Sequence, residues 1–211
     1  MAEESGSFGG ERRFKLTLHY DGAGFFGWQV QPGVRTVQAE LEAALSRLRN
    51  SPTTVIAAGR TDRGVHATGQ VVSATMPEKW SDADLHRALN AILPPDIWIA
   101  NVEPAPPNFH ARYDAVSRSY VYRVGTRPEC ASPFVRPHCW ALGTELRVDV
   151  LNDAARRFVG RHSFLAFAKA GQPERGELCT VSAAEWQDWS VGVEFHVTAD
   201  RFLHHMVRYM V

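Results

Sequence analysis

Apolar and polar residues alternate along Phe14-Lys15-Leu16-Thr17-Leu18-His19-Tyr20, the period-two pattern of a half-buried strand. Asp21-Gly22-Ala23-Gly24 breaks it. The period then lengthens to that of a helix. Val37, Leu41, Ala44, Leu45 and Leu48 fall on one face behind Thr36, a good N-cap. Strands are expected over residues 54–58 and 70–76. A second helix is expected from Ser81, with Asp82 and Asp84 in its first turn, where the helix dipole favours carboxylates. Its inward face carries Leu85, Leu89 and Ile92. Pro94-Pro95 stops it, and residues 96–102 read as a further strand.

Pro104, Pro106 and Pro107 mark a crossover, after which the pattern starts again. Residues 116–125 predict a strand, 150–159 a helix and 178–187 a strand. Val191, Val193, Phe195 and Val197 predict one more. Residues 201–211 place Phe202, Leu203, Met206, Val207 and Met210 on one helical face. That pattern reaches Val211 without a stop signal, so a truncated C-terminus is expected. Strands interleaved with helices, each strand alternating, give an α+β fold. The expectation is two units of antiparallel or mixed sheet packed with helices, forming a central cleft with the active site between them. A flexible tail (1–13) precedes a first unit (14–105) and a second (106–211).

Composition narrows the function classes. Of 211 residues 45% are hydrophobic, enough for a real core. Twenty-three basic residues balance 23 acidic ones, so whole-molecule charge does not draw nucleic acid, although a local basic patch still can. No run has the length of a membrane span, and the acidic, glycine-rich start is no signal peptide. Cys130, Cys139 and Cys179 are odd in number and widely spaced, which favours a reducing, cytoplasmic setting over a disulfide framework. Zinc held by Cys130, His138 and Cys139 would lack paired ligand spacing. Walker, dinucleotide, nucleophile-elbow and zinc-protease motifs are all missing from the sequence.

The densest chemistry lies in Gly59-Arg60-Thr61-Asp62-Arg63-Gly64-Val65-His66-Ala67-Thr68-Gly69-Gln70-Val71, expected at the tip of a strand–loop–strand. On the residues alone Asp62 reads first as an ordinary Asx-turn and second as a presented carboxylate. In the second reading an arginine holds it ionised and oriented, either Arg60, two residues away on a strand face, or distant Arg208. Along Ser117-Arg118-Ser119-Tyr120-Val121-Tyr122-Arg123, one strand face carries Arg118, Tyr120 and Tyr122. Such a face suits base stacking and phosphate contact, or plain cross-strand aromatic pairing. Phe109-His110-Ala111-Arg112 offers the same chemistry in four residues. His204 and His205, adjacent on a helix, would point about 100° apart and share no metal, one of them packing or bonding within the core.

Together these segments resemble the tRNA pseudouridine synthase A family. The resemblance runs through Tyr20-Asp21-Gly22, Phe26-Gly27-Trp28-Gln29, Thr36-Val37-Gln38, the stretch 59–71, Leu89-Asn90 and Leu93-Pro94. It continues through 109–112, 118–122, Phe158-Val159-Gly160 and Phe202-Leu203-His204-His205-Met206-Val207-Arg208. It implies isomerisation of uridine to pseudouridine in the anticodon arm of tRNA, around positions 38 to 40, with the target base flipped from its stack. It implies no cofactor and no metal. Asp62 matches the essential aspartate, Tyr120 the tyrosine stacked on the uracil, Arg208 the aspartate's arginine partner, and Arg60 the arginine of base flipping. Phe109, His110, Arg112 and Arg118 would contact RNA. A homodimer spanned by the anticodon stem-loop is implied as well. The alternative is a non-catalytic RNA-binding module of related fold. Arg63, Ser163, Arg201 and Tyr209 depart from residues common in the family, and none coincides with the catalytic trio.

Overall fold

The computed structural model describes residues 10–169 and 176–211. The chain divides into two compact units, Met1–Ala115 and Val116–Val211. Each has its own sheet and its own apolar core. Residues 1–9 of the expected tail lie outside the described residues.

In the first unit the elements run β1 (Glu11–Tyr20), α1 (Val37–Arg49), β2 (Ile56–Ala57), β3 (Ala67–Pro77), α2 (Asp82–Ile92) and β4 (Ile97–Pro104). The sheet order is β2-β3-β1-β4, antiparallel throughout. Alternation on β1 does what the sequence predicts. Phe14, Leu16, Leu18 and Tyr20 are buried, and they meet Val72, Ala74 and Met76 of β3 and Leu41, Leu45, Leu85 and Leu89 of the helices. Each such side chain, fully buried, contributes about 1.5–3 kcal/mol. Both helices start where expected. Thr36 Oγ1 accepts from Ala39 N–H at 3.4 Å, and Ser81 Oγ from Asp84 N–H at 3.0 Å.

The opposite sheet face is covered too. Ser73 is fully buried there, and its hydroxyl accepts from Arg13 Nη2 at 2.8 Å. Arg13 Nε donates to Phe109 O at 3.0 Å, so the segment after β4 folds back over this face and buries Ala111. Burial lowers the Arg13 pKa.

The second unit contains β5 (Arg118–Gly125), β6 (Trp140–Ala141), α3 (Val148–Ala155), β7 (Gly160–Ser163), β8 (Leu178–Trp189), β9 (Gly192–Ala199) and α4 (Met206–Met210). Its sheet runs β6-β5-β9-β8-β7; only the β5–β6 pair is parallel. Val181 and Trp186 of β8 and Val193, Phe195 and Val197 of β9 make the core beneath α3. The α+β reading therefore holds for both units.

Several boundaries differ from expectation. β1 starts at Glu11, because Glu11, Arg12 and Arg13 pair with Pro77, Met76 and Thr75. The short strand expected over 54–58 shrinks to Ile56–Ala57. The helix expected over 150–159 occupies 148–155 and tightens into a 3-10 turn at Arg156–Phe158. The largest correction is at the end of the chain. Only Met206–Met210 is helical, because His205 takes a left-handed φ of 64° that no helix continues through. Two short strands, β6 and β7, were not expected; neither has more than four residues for a pattern to show. All three cysteines are free thiols.

On the outer face of β9, Glu194 accepts from His196 Nε2 at 2.7 Å and Arg123 Nε at 3.1 Å. Burial pushes its carboxyl up, but those two partners outweigh burial and leave it below the usual carboxylate range. A carboxyl depressed on folding adds stability above its unfolded pKa and loses it as pH falls through the folded value. Urea denaturation of wild type and Glu194→Gln across the acid range should therefore show a wild-type advantage near neutral pH that shrinks steadily with acid.

Candidate active site

Between β2 and β3 the chain leaves the sheet, and residues 58–66 form an irregular loop that carries Asp62. Arg60 and Asp62 are thus not on a strand, and the face-sharing argument for pairing them does not apply. Asp62 is half-buried and Arg60 is exposed.

The loop is fixed by the segment that follows β1. Trp28 N–H donates to Thr61 O at 2.9 Å, and Gly64 N–H to Phe25 O at 3.4 Å. Within the loop, Val65 N–H donates to Asp62 O at 3.2 Å. Both peptide planes that flank the Asp62 Cα are therefore held. The Arg63 guanidinium lies over the Phe26 ring, 4.2 Å from its centroid. Gly64 supplies the positive φ of 77° that the turn needs. From below, Gln70 Nε2 donates to Gly59 O at 2.7 Å, and the Tyr20 and Thr61 hydroxyls sit 2.8 Å apart.

Two glycines let the segments approach this closely. A Cβ on Gly22 would stand 2.1 Å from Val65 O; one on Gly27 would stand 2.8 Å from Thr61 O. Gly27 also has a φ of 94°. Around Gly22, His66 Nδ1 lies 2.9 Å from Asp21 Oδ1 and 3.2 Å from Gly22 N. Arg35 anchors the segment in turn. It donates two bonds to the Asp96 carboxylate, at 2.6 and 2.9 Å, and one to Glu40 at 2.7 Å, while its guanidinium covers Phe25 at 4.2 Å. The Asp96 bonds chiefly raise the Arg35 pKa, keeping it charged at every working pH.

The other candidates fall in three places. Phe109, His110 and Arg112 are half-buried in the turn that covers the Arg13–Ser73 face. The His110 ring stacks on Tyr113 with centroids 4.1 Å apart, and its Nδ1 accepts from Tyr113 N–H. In the second unit, Arg118, Tyr120 and Tyr122 share one face of β5, each half-buried, while Ser119, Val121 and Arg123 are exposed on the other. Tyr120 meets Phe202 edge-on at 4.9 Å, and Arg118 Nη1 donates to Asp200 O at 2.7 Å. Arg208 is exposed on α4, between the buried Met206 and Met210.

His204 and His205 require a correction. They precede α4 rather than lying within a helix, so helical divergence does not separate them. Their ring centroids are 4.2 Å apart, and neither ring is buried in the core.

The sequence pattern that defines the tRNA pseudouridine synthases matches residues 17–114 and 154–211. The chain belongs to the tRNA pseudouridine synthase family. Its relatives include proteins named tRNA pseudouridine synthase A from Methylacidiphilum infernorum, 42% identical over 94% of this chain and 78% of the relative, and from Bacillus subtilis, 39% identical over 93% and 80%. The counterpart from Bartonella bacilliformis is 38% identical over the same two shares as the latter. The Asp62 loop, its supporting segment and the Phe109–Arg112 turn all lie in the first stretch matched to the synthase pattern, and Arg208 in the second. Tyr120 and Arg118 fall between the two.

Sequence reasoning set Asp62 apart but missed what supports it. Asp21–Gly24 reads as a strand break and Phe26–Gln29 as part of the family resemblance, neither as a support for the Asp62 loop. The available signal was two glycines, Gly22 and Gly27, spaced through an apolar, aromatic stretch, which marks close backbone approach. Gly22→Ala should cost roughly 1–3 kcal/mol of stability, because its new methyl meets backbone rather than a movable side chain. Gly69→Ala, where nothing lies within 4 Å, should leave the urea midpoint close to wild type.

Proposed function

We propose that this protein isomerises uridine to pseudouridine in the anticodon arm of tRNA, with Asp62 as the catalytic residue. The observation that carries this reading is the fixation of the Asp62 backbone from both sides by Trp28 and Val65. A carboxylate placed so firmly on a loop is preorganised for a reaction that brings neither metal nor cofactor.

The reaction balances within one nucleotide. The bond from C1′ to N1 of uracil breaks, a bond from C1′ to C5 forms, and the proton leaving C5 is replaced by one gained at N1. The carboxylate serves as nucleophile or base and is regenerated. The target uridine must first leave its stack, which costs a few kcal/mol. Arg60, exposed in the same loop, would fill the space left behind. Tyr120 would stack on the flipped uracil, its ring already oriented by Phe202. Stacking of this kind contributes about 1–3 kcal/mol per base. Arg208 would hold the carboxylate ionised, and Arg118, Phe109, His110 and Arg112 would contact RNA. A homodimer working in the cytoplasm completes the proposal.

The test is tritium release from tRNA carrying 5-tritiated uridine. Asp62→Ala should reduce release to background while tRNA affinity stays within about threefold of wild type, the mark of an interaction used only in the reaction. Undiminished release from the variant would contradict the assignment. Stoichiometric tRNA binding by wild type with no pseudouridine formed would favour a non-catalytic RNA-binding module instead.

A further inference from the structure

We propose that the hydroxyls of Tyr20 and Thr61 form a positioning pair that orients Asp62 for reaction. This rests on the function proposed above and extends it to two residues that act through Asp62.

Tyr20 ends β1 at a place where the pairing slips. Leu18 faces Gln70, but Tyr20 faces Ala67, so one extra residue is taken up on β3. Such bulges re-aim side chains at the ends of ladders. The slip accompanies a tyrosine whose ring is buried in the first core, at 4% exposure, while its hydroxyl reaches Thr61 Oγ1 at 2.8 Å. Gln70, 8% exposed, lies beneath and ties the pair to the loop. One amide hydrogen goes to Gly59 O at 2.7 Å, the other to the Tyr20 oxygen at 3.5 Å. Either hydroxyl can donate in the Tyr20–Thr61 bond, and the Gln70 amide approaches the tyrosine oxygen as well.

Thr61 is the residue before Asp62, and two of its groups are tied. Its Oγ1 is held by Tyr20 and its carbonyl by Trp28 N–H. Rotation of the Thr61–Asp62 peptide would break the Trp28 bond, and displacement of the Thr61 side chain or Cα would break the Tyr20 bond. The pair therefore fixes the direction in which the Asp62 side chain leaves the backbone. Apolar side chains would fill the same volume, whereas a buried hydroxyl and amide need partners, and these two find them in the loop. Spending their polar groups on this loop marks the bonds as positional.

Tyr20→Phe and Thr61→Val each delete one hydroxyl and keep the shape. Single-turnover tritium release should slow roughly tenfold in either, the worth of one hydrogen bond expressed in a rate. Affinity for tRNA should stay within about twofold. The double variant should be no slower than the slower single one, because both changes remove the same bond. Thr61→Ser, which keeps the oxygen, should recover most of the rate. A full rate in Tyr20→Phe, or a double variant slowed by the product of the single effects, overturns the pairing.

A second readout is independent of chemistry. Amide exchange at Trp28 and Val65, whose N–H groups bond Thr61 O and Asp62 O, should quicken in both single variants and return toward wild type in Thr61→Ser. Unchanged exchange in the single variants refutes the pair. Quickened exchange in a protein whose wild type releases no tritium supports the pair and refutes the proposed reaction.

Discussion

The bond from Trp28 N–H to Thr61 O is the contact on which the candidate site depends. It joins two stretches that are far apart in sequence and irregular in backbone, and it does so immediately before Asp62. Neither stretch belongs to a sheet or an α-helix at that point. Irregular segments normally pair their backbone groups with water, and are mobile for that reason. Here the groups pair with each other. The loop carrying the carboxylate is therefore rigid without being regular.

That rigidity is paid for by the elements behind it. The segment 20–28 keeps its shape because Arg35 ties Asp96 and Glu40 together and lies across Phe25. Asp21 N–H also bonds Asp96 O, linking the segment to the turn before β4. Charged bonds of this kind contribute about 1.5–3 kcal/mol when well formed. The deeper support is apolar: β1 and β3 are the central strands of the sheet, and their buried residues fix where Tyr20 and Gln70 stand. Local irregularity at the site is thus an outcome of regularity beneath it, consistent with preorganised chemistry on a rigid scaffold.

Much of the fold was legible because strong periodicity leaves little freedom. The strand 14–20 and the helices behind Thr36 and Ser81 follow from alternation, capping and breakers. The signals weakened where packing overrides local preference. Apolar residues at helical spacing over 201–211 predicted a helix, yet His205 turns left-handed and only five residues are helical. Short strands such as β7 lack a pattern altogether. In the site, the local residues around Asp62 suited a plain turn, and the family motif across 59–71 is what raised the carboxylate above it. The partners of its loop were not visible, since a backbone bond from Trp28 depends on no side chain. Gln70 and Tyr20 read as strand residues, and only the slip in register between β1 and β3 shows their polar ends meeting the loop.

The family to which the chain belongs gives the proposed role of Asp62 its chemical content. The most direct test is a map of pseudouridine in tRNA from cells that lack the protein. The account predicts loss of pseudouridine from the anticodon arm, restored by the wild-type gene and not by one encoding Asp62→Ala. A pseudouridine map identical in the presence and absence of the protein would contradict it.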